Sequence, residues 1–418
     1  MKKNHIWLAG TILISCLFPY IRAEADELIG SYWLSDRVLI VQSGDTYTDM
    51  VAAVRTDKGI VVIDSGVSPS LTNEYRRIIE KEFGRSDFEY VINTHHHIDH
   101  TNGNQVFDDA EIIAHKNAVS GMQENDVKDE IYAYVKQTRE RILSYNEIME
   151  TLEKDSGLYN AFRDRVFALN SMCDDYESTY QLKLPTLRIT DNLTLDMGDL
   201  RIEIVYFGSG FHTDNDLVVS IPEENIVFMG DIIQAFDRFF RVNSKSEIDP
   251  WISSLDRIIN NNNEVKKVVA YHVGVLPGAV LRDFRESLIA MRNEQRQKKT
   301  AVDSLRAMIA TSTVQEAVIR FEDQFLNNTN DTFFIWEGDL LSLAVDYQEK
   351  EKYSEALMLL KMYEKIFPNS TRILFSQANI FASEGRNSLA IDAYKKMLRI
   401  DPTNFYYVEK IFQLKNGH

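Results

Sequence analysis

The chain has 418 residues, 44% hydrophobic and 26% charged, with only 18 Gly and 8 Pro against 22 Phe and 19 Tyr. That composition excludes collagen-like and disordered chains and supplies apolar mass for two or three packed domains. Its 46 basic and 63 acidic residues leave a formal charge of −17, which repels phosphate backbones and argues against a nucleic-acid partner.

Lys2 and Lys3 precede a mostly apolar stretch, residues 6–21, and Ala23-Glu24-Ala25 gives a small-x-small cleavage pattern. Residues 1–25 are therefore expected to be a signal peptide, making the mature protein exported, periplasmic or secreted, in a bacterium. A lipoprotein acylated at Cys16 is the competing reading. Leu17, Phe18 and Tyr20 weigh against it, continuing the apolar run where a polar tether would be expected. No later segment approaches 18 apolar residues, so no membrane span is expected. Cleavage would leave Cys173 as the only thiol and rule out an internal disulfide.

Alternating apolar residues predict strands at 38–41, 50–54 and 60–63, the last two joined through Asp57-Lys58-Gly59. Ser68-Pro69 opens a helix that Gly84 stops. Strands follow at 88–92 and 111–114. Residues 117–180 then change to helical spacing (Ile131, Val135, Ile142, Ile148), which reads as a helical insertion. Strands resume at 193–195, 202–207, 217–221, 226–229 and 268–271, with a helix over 249–259. Residues 26–280 thus predict a layered α/β domain. The rest reads as helical: a connector over 281–336, then residues 337–418. In the latter, Leu340, Ala344, Tyr347, Ala356 and Pro368 recur 34 positions on as Leu374, Ala378, Phe381, Ala390 and Pro402. That is the tetratricopeptide period, and 405–414 would cap the repeats.

Four histidines and an aspartate crowd into Thr94-His95-His96-His97-Ile98-Asp99-His100. On a loop leaving a strand, His95 and His97 point the same way, while Asp99 and His100 come around the following turn. Imidazole and carboxylate suit zinc and its first-row neighbours. Further ligands are expected where later strands end, and His212, Asp231 and His272 each follow an apolar run. Together they complete two sites: His95, His97 and His212 for one ion, Asp99, His100 and His272 for the other, with Asp231 bridging. His96 should face away. His115 should pack or hydrogen-bond rather than bind metal, Asp216 should fix the His212 loop, and Tyr271 should pack rather than meet substrate.

Val62-Ile63-Asp64-Ser65-Gly66, Thr94 to His100, Gly103, His212-Thr213 with Asp216, Met229-Gly230-Asp231 and His272 stand in one order. This set resembles the metallo-β-lactamase superfamily over about residues 30–280. The resemblance implies an αββα sandwich, two zinc ions at the sheet edge and hydrolysis, with Asp64 steadying a ligand. Two departures stand out. Ala270-Tyr271-His272-Val273-Gly274 replaces a Pro-Gly-His-Gly-like turn, and Phe211-His212-Thr213 replaces Gly-His-Thr. Asp231 excludes the subclass with Cys at the bridging position. The expected function is an exported dinuclear zinc hydrolase cleaving a lactam, lactone, ester or related bond of a small molecule by metal-bound hydroxide, with Asp99 as the catalytic carboxylate. The alternatives are a non-catalytic exported scaffold with a degenerate metal domain, and an iron-dependent dioxygenase of the same fold. The C-terminal repeats would serve a protein partner or self-association.

Overall fold

Strand-forming runs of Val, Ile and Leu recur between residues 29 and 277, and they assemble into two facing sheets. The computed structural model describes residues 28–416 except 47, 155, 234–246, 262–263, 298, 327–332, 336 and 403. The expected signal segment and Cys16 therefore lie outside the described residues. The chain divides into two compact units, the first taking in the described residues up to Ile289 and the second those from Ala290 on.

In the first unit, seven strands form a sheet in sequence order. They are β1 (Ile29–Trp33), β2 (Val38–Ser43), β3 (Asp49–Thr56), β4 (Gly59–Ile63), β5 (Phe88–Ile92), β6 (Glu111–His115) and β7 (Leu187–Ile189). Pairing is antiparallel from β1 to β4 and parallel from β4 to β7. The edge strand β1 lay outside the predicted set, because its half-exposed residues carry no apolar run. The second sheet contains β8 (Leu193–Asp196), β9 (Arg201–Tyr206), β10 (Leu217–Ile221), β11 (Ile226–Phe228), β12 (Lys267–Ala270) and β13 (Gly274–Pro277). Its order is β13-β12-β11-β10-β9-β8.

Alternation along each strand decides what faces the partner sheet. Val38, Ile40, Val54, Val61, Ile63, Ile92 and Ile113 interleave with Ile202, Ile204, Leu217, Val219, Phe228 and Val269 in one core. Each fully buried aliphatic side chain there contributes about 1.5–3 kcal/mol. Leu39 and Val41, on the other face of β2, are buried as well, on the side where helix α1 (Pro69–Phe83) packs. Ser68 caps that helix and Gly84 ends it in the left-handed region, φ 64°.

Between β5 and β6 lies a single helical turn, α2 (Ile98–Thr101). The stretch between β6 and β7 is helical, comprising α3 (Ala118–Glu124), α4 (Lys128–Glu150) and α5 (Gly157–Ser178). Two buried acids of α5, eleven residues and so three turns apart, tie it to the sandwich. Asp175 accepts from the Ser70 amide at 2.9 Å and from the Ser68 and Ser70 hydroxyls. Asp164 accepts from the Asp45 amide at 2.8 Å and the Thr46 hydroxyl at 3.0 Å. Helix α6 (Asp249–Asn261) packs on β9, and α7 (Ala279–Gln297) runs across the division between the units.

The second unit is helical apart from a two-residue pairing of 299–300 with 333–334, too short to leave a periodic signal in sequence. Helices α8 (Ala301–Thr311) and α9 (Val314–Phe321) share one apolar core with α10 (Glu337–Gln348), α11 (Tyr353–Ile366) and Ile373 and Ile380 of α12 (Thr371–Ser383). A smaller core joins Leu374 and Ala378 to Ala393, Tyr394 and Met397 of α13 (Asn387–Ile400), covered by Tyr407, Ile411 and Leu414 of α14 (Phe405–Asn416). The starts of α10 and α12, and of α11 and α13, are each 34 residues apart, the period of the sequence repeat. Ala356 and Ala390, one period apart, are both fully buried. Among the described residues, no helix is long and apolar enough to cross a membrane.

Candidate metal centre

Strands β9, β11 and β12 run the same way, since β10 is antiparallel to both β9 and β11 while β11 and β12 are parallel. Their C-terminal ends therefore open on one edge. His212 lies between β9 and β10, Asp231 follows β11, and His272 follows β12. The end of β5 delivers His95 to His100 against them. Two close approaches make this possible. A side chain on Gly230 would bring its Cβ to 2.9 Å from Thr94 Oγ1, and one on Gly103 would meet the Ser65 carbonyl oxygen at 1.9 Å.

The side chains converge in two groups able to hold a metal ion: His95, His97, His212 and Asp231; and Asp99, His100 and His272. His95 Nε2 and His97 Nδ1 are 2.9 Å apart, and both rings lie within 5 Å of the His212 ring centroid. In the second group, His272 Nε2 is 2.9 Å from Asp99 Oδ2. Asp231 stands between the groups: Oδ2 is 3.8 Å from His212 Nε2 and 3.9 Å from His272 Nε2, and Oδ1 is 3.5 Å from His100 Nε2. All seven predicted ligands are thus brought together, with Asp231 within reach of both groups.

His100 Nε2 and Asp231 Oδ1 are buried and have no hydrogen-bond partner. Buried polar atoms without partners cost about 1–3 kcal/mol each, and here they face one another across a ring of nitrogen and carboxylate donors. The donor set fits a divalent first-row ion.

Electrostatics prepare the histidines differently. Burial and the neighbouring imidazoles hold His95 well below its ordinary value; burial pulls His97 down to about 4 against the pull of Asp99. Both are neutral at pH 7, the form that binds metal. Burial also opposes charge on His100, but Asp64, Asp99 and Asp231 outweigh it and raise that ring. Burial works against charge on Asp99 and Asp231 too, yet His100 and His272 keep both carboxyls below the ordinary carboxylate value.

Residues behind the ligands fix their orientation. Asp216 Oδ1 lies 3.1 Å from His212 Nδ1, and its Oδ2 accepts from the Thr213 amide at 2.6 Å. It therefore holds the ring as well as the loop, a role that sequence reasoning missed. His96 turns to Asn215 and α3 and belongs to neither group. His115 stacks on Tyr206 at 4.2 Å, a packing role as expected. Tyr271 is buried as anticipated, but its hydroxyl is hydrogen-bonded rather than idle. Asp49 was not anticipated at all: it is fully buried and accepts from the Tyr75 hydroxyl and the Val67 amide. Its sequence signal was one acid heading the apolar run Met50-Val51-Ala52-Ala53-Val54.

A profile of the metallo-beta-lactamase superfamily matches residues 50–272, just over half the chain. The chain belongs to the metallo-beta-lactamase superfamily. Among relatives of this superfamily, it is 22% identical to a metallo-beta-lactamase type 2 of Bacillus cereus over 231 residues, 55% of this chain and 69% of that one. It is 28% identical over 130 residues to the type 2 enzyme of Bacteroides fragilis, 31% of this chain and 51% of that one. A solved sec-alkylsulfatase, Pisa1 from Pseudomonas sp., aligns over 93% of this chain and 66% of its own, at 11% identity and a TM-score of 0.48. The superfamily match spans every residue of the two ligand groups, from His95 to His272.

Proposed function

We propose that the protein is an exported dinuclear zinc hydrolase acting on a small molecule with a lactam, lactone, ester or related bond. The observation that carries this is the convergence of seven donors in two adjacent groups, with Asp231 within reach of both. His95, His97 and His212 would hold one ion, Asp99, His100 and His272 the other. Two such ions, when bound, supply a nucleophilic water at neutral pH and polarise the scissile group.

The chain's own part is to hold donors and protons in place. Asp64 and Asp216 take up the Nδ1 edges of His100 and His212, leaving each Nε2 turned to the centre. Asp99 Oδ2, 2.9 Å from His272 Nε2, would orient the attacking water. The half-buried His97, Asp99 and His272 line the open side, where substrate enters, while His95 and His100 close the floor against bulk solvent. Tyr176, whose hydroxyl accepts from Asn102 at 2.9 Å, and Asn125, near the His96 carbonyl, bring the helical insertion to the rim. That position supports a role for the insertion in selecting substrates. The apolar N-terminal segment with its Lys2-Lys3 start supports export.

Metal analysis of the purified full chain, joined to a chromogenic panel of lactam, lactone, aryl ester and aryl sulfate, tests the reading. About two equivalents of zinc and turnover of one class are expected. His97→Ala should abolish that turnover and lower bound zinc while far-UV circular dichroism stays unchanged. A chain that binds no zinc would leave the helical repeats as the working part and sink the proposal.

A further inference from the structure

Tyr271 occupies the position before the last histidine, where the superfamily resemblance implies a glycine. A tyrosine is too large to be a neutral replacement there, and its surroundings show how it is used. The residue is 2% exposed. Its hydroxyl accepts from the Met50 amide at 3.0 Å and lies 3.0 Å from the Asp99 carbonyl oxygen and 3.1 Å from Asp49 Oδ1. Its ring packs on His100 with centroids 4.0 Å apart and meets the His272 ring edge-on at 4.6 Å.

One side chain thus touches every member of the second ligand group: Asp99 through its carbonyl, His100 through its ring, His272 as both neighbour and ring contact. Among the described residues, no hydrogen bond or ring contact joins it to His95, His97 or His212. A buried phenol needed only for packing could be a phenylalanine at less desolvation cost. This one instead links two strands and the turn of α2. Asp49 supports it from behind, held by the Tyr75 hydroxyl at 2.6 Å and the Val67 amide at 2.9 Å.

We propose that Tyr271, braced by Asp49, is a positioning residue that fixes Asp99, His100 and His272 as one unit and so sets the affinity of the second metal site alone. The inference rests on the reading above that these three residues hold an ion. Asp99 reaches the centre from a four-residue helical turn, an element too short to hold a ligand rigidly unaided. Metal sites need their donors held within about 0.5 Å, and residues behind the ligands typically govern 10- to 100-fold in metal affinity.

The test uses the full chain purified in excess zinc, with the two zinc dissociation constants read by competition with a chromophoric chelator. In Tyr271→Phe one constant should rise about 10-fold or more, and the other should stay within about twofold. Tyr75→Phe removes a phenol from the same Asp49 carboxylate without touching Asp99, so both constants should remain near wild type even if the melting temperature falls. Should Tyr271→Phe fold only with zinc present, the two phases of zinc loss to excess chelator give the same comparison, with only one phase accelerated. Unchanged constants in Tyr271→Phe would overturn the proposal. So would an equal weakening in Tyr75→Phe, which would mean general loosening. Absence of zinc from the wild-type chain would instead overturn the hydrolase reading itself, so the two failures are distinguishable.

Discussion

Asp64 Oδ2 lies 2.8 Å from His100 Nδ1, and the same carboxylate takes the Thr94 amide at 2.7 Å and the Thr94 hydroxyl at 2.9 Å. The aspartate does this from a left-handed backbone, φ 59°, a conformation that few residues other than Gly, Asn and Asp adopt readily. An acceptor at Nδ1 fixes the tautomer and leaves Nε2 free for an ion.

Asp64→Asn tests that relationship, because asparagine tolerates the same backbone but has a single acceptor oxygen, which cannot serve both the Thr94 amide and His100 Nδ1. Zinc affinity at the second group should fall about 10- to 100-fold, with turnover falling alongside. Competitive chelation would measure it. Unchanged affinity would mean that His100 keeps its orientation by packing alone.

Asp231→Ala removes the one carboxylate that stands between the two groups. Loss of about one zinc equivalent and a steep drop in turnover are expected, since two-metal chemistry needs both ions. A variant with two tightly bound ions and full turnover would assign Asp231 a merely supporting part.

Asp49 gives a pH signature. Burial, against the hydrogen bonds from Tyr75, Val67 and Tyr271, raises its carboxyl from 3.8 to about 6. The folded chain therefore binds this proton more tightly than the unfolded chain. The resulting stability is fully present below pH 3.8 and is lost as pH rises through about 6. Asp49→Asn has no such proton to lose. With zinc chelated, its stability relative to wild type should improve by about 3 kcal/mol between acid and neutral pH, at about 1.4 kcal/mol per pKa unit. Denaturant melts at several pH values measure this, and parallel pH profiles for the two proteins would contradict it.

The gathering of donors at the sheet edge was readable from residue order because each follows an apolar strand or the turn after one, and strand ends are fixed by the same alternation that builds the core. The supports behind it were not. Asp175 meets Ser68 across 107 positions, Asp164 meets Thr46 across 118, and Tyr271 meets Asp49 across 222. Each acid looks locally like a solvated charge on a helix or at a strand end, and only the folded arrangement supplies its donors. Tyr271 was read as packing because an apolar strand leads into it; the hydroxyl's partners belong to other elements.

The apolar core of the C-terminal unit decides where a truncation should fall. Leu305 and Phe321 share a core with Leu340, Leu359 and Leu360, so a cut before residue 337 would open that core to water. Deleting residues 298–418 should give a soluble protein whose turnover of a small substrate and zinc content stay within a few-fold of the full chain. A folded truncation that keeps zinc but has lost all activity would place C-terminal residues in the reaction.

The two acids of α5 fasten that helix to the sandwich at two separate places. Between them they accept from the Asp45 and Ser70 amides and from the hydroxyls of Thr46, Ser68 and Ser70, all donors that belong to the sandwich. Gly44 has itself conformed to Asp164: with φ 71°, a Cβ there would collide with the carboxylate at 2.0 Å. Excising the insertion would hand these donors to water and remove the carboxylate to which Gly44 yields. The long helix is thereby pinned at two points three turns apart, one on the β2–β3 turn and one at the start of α1, so the two acids fix its direction as well as its position.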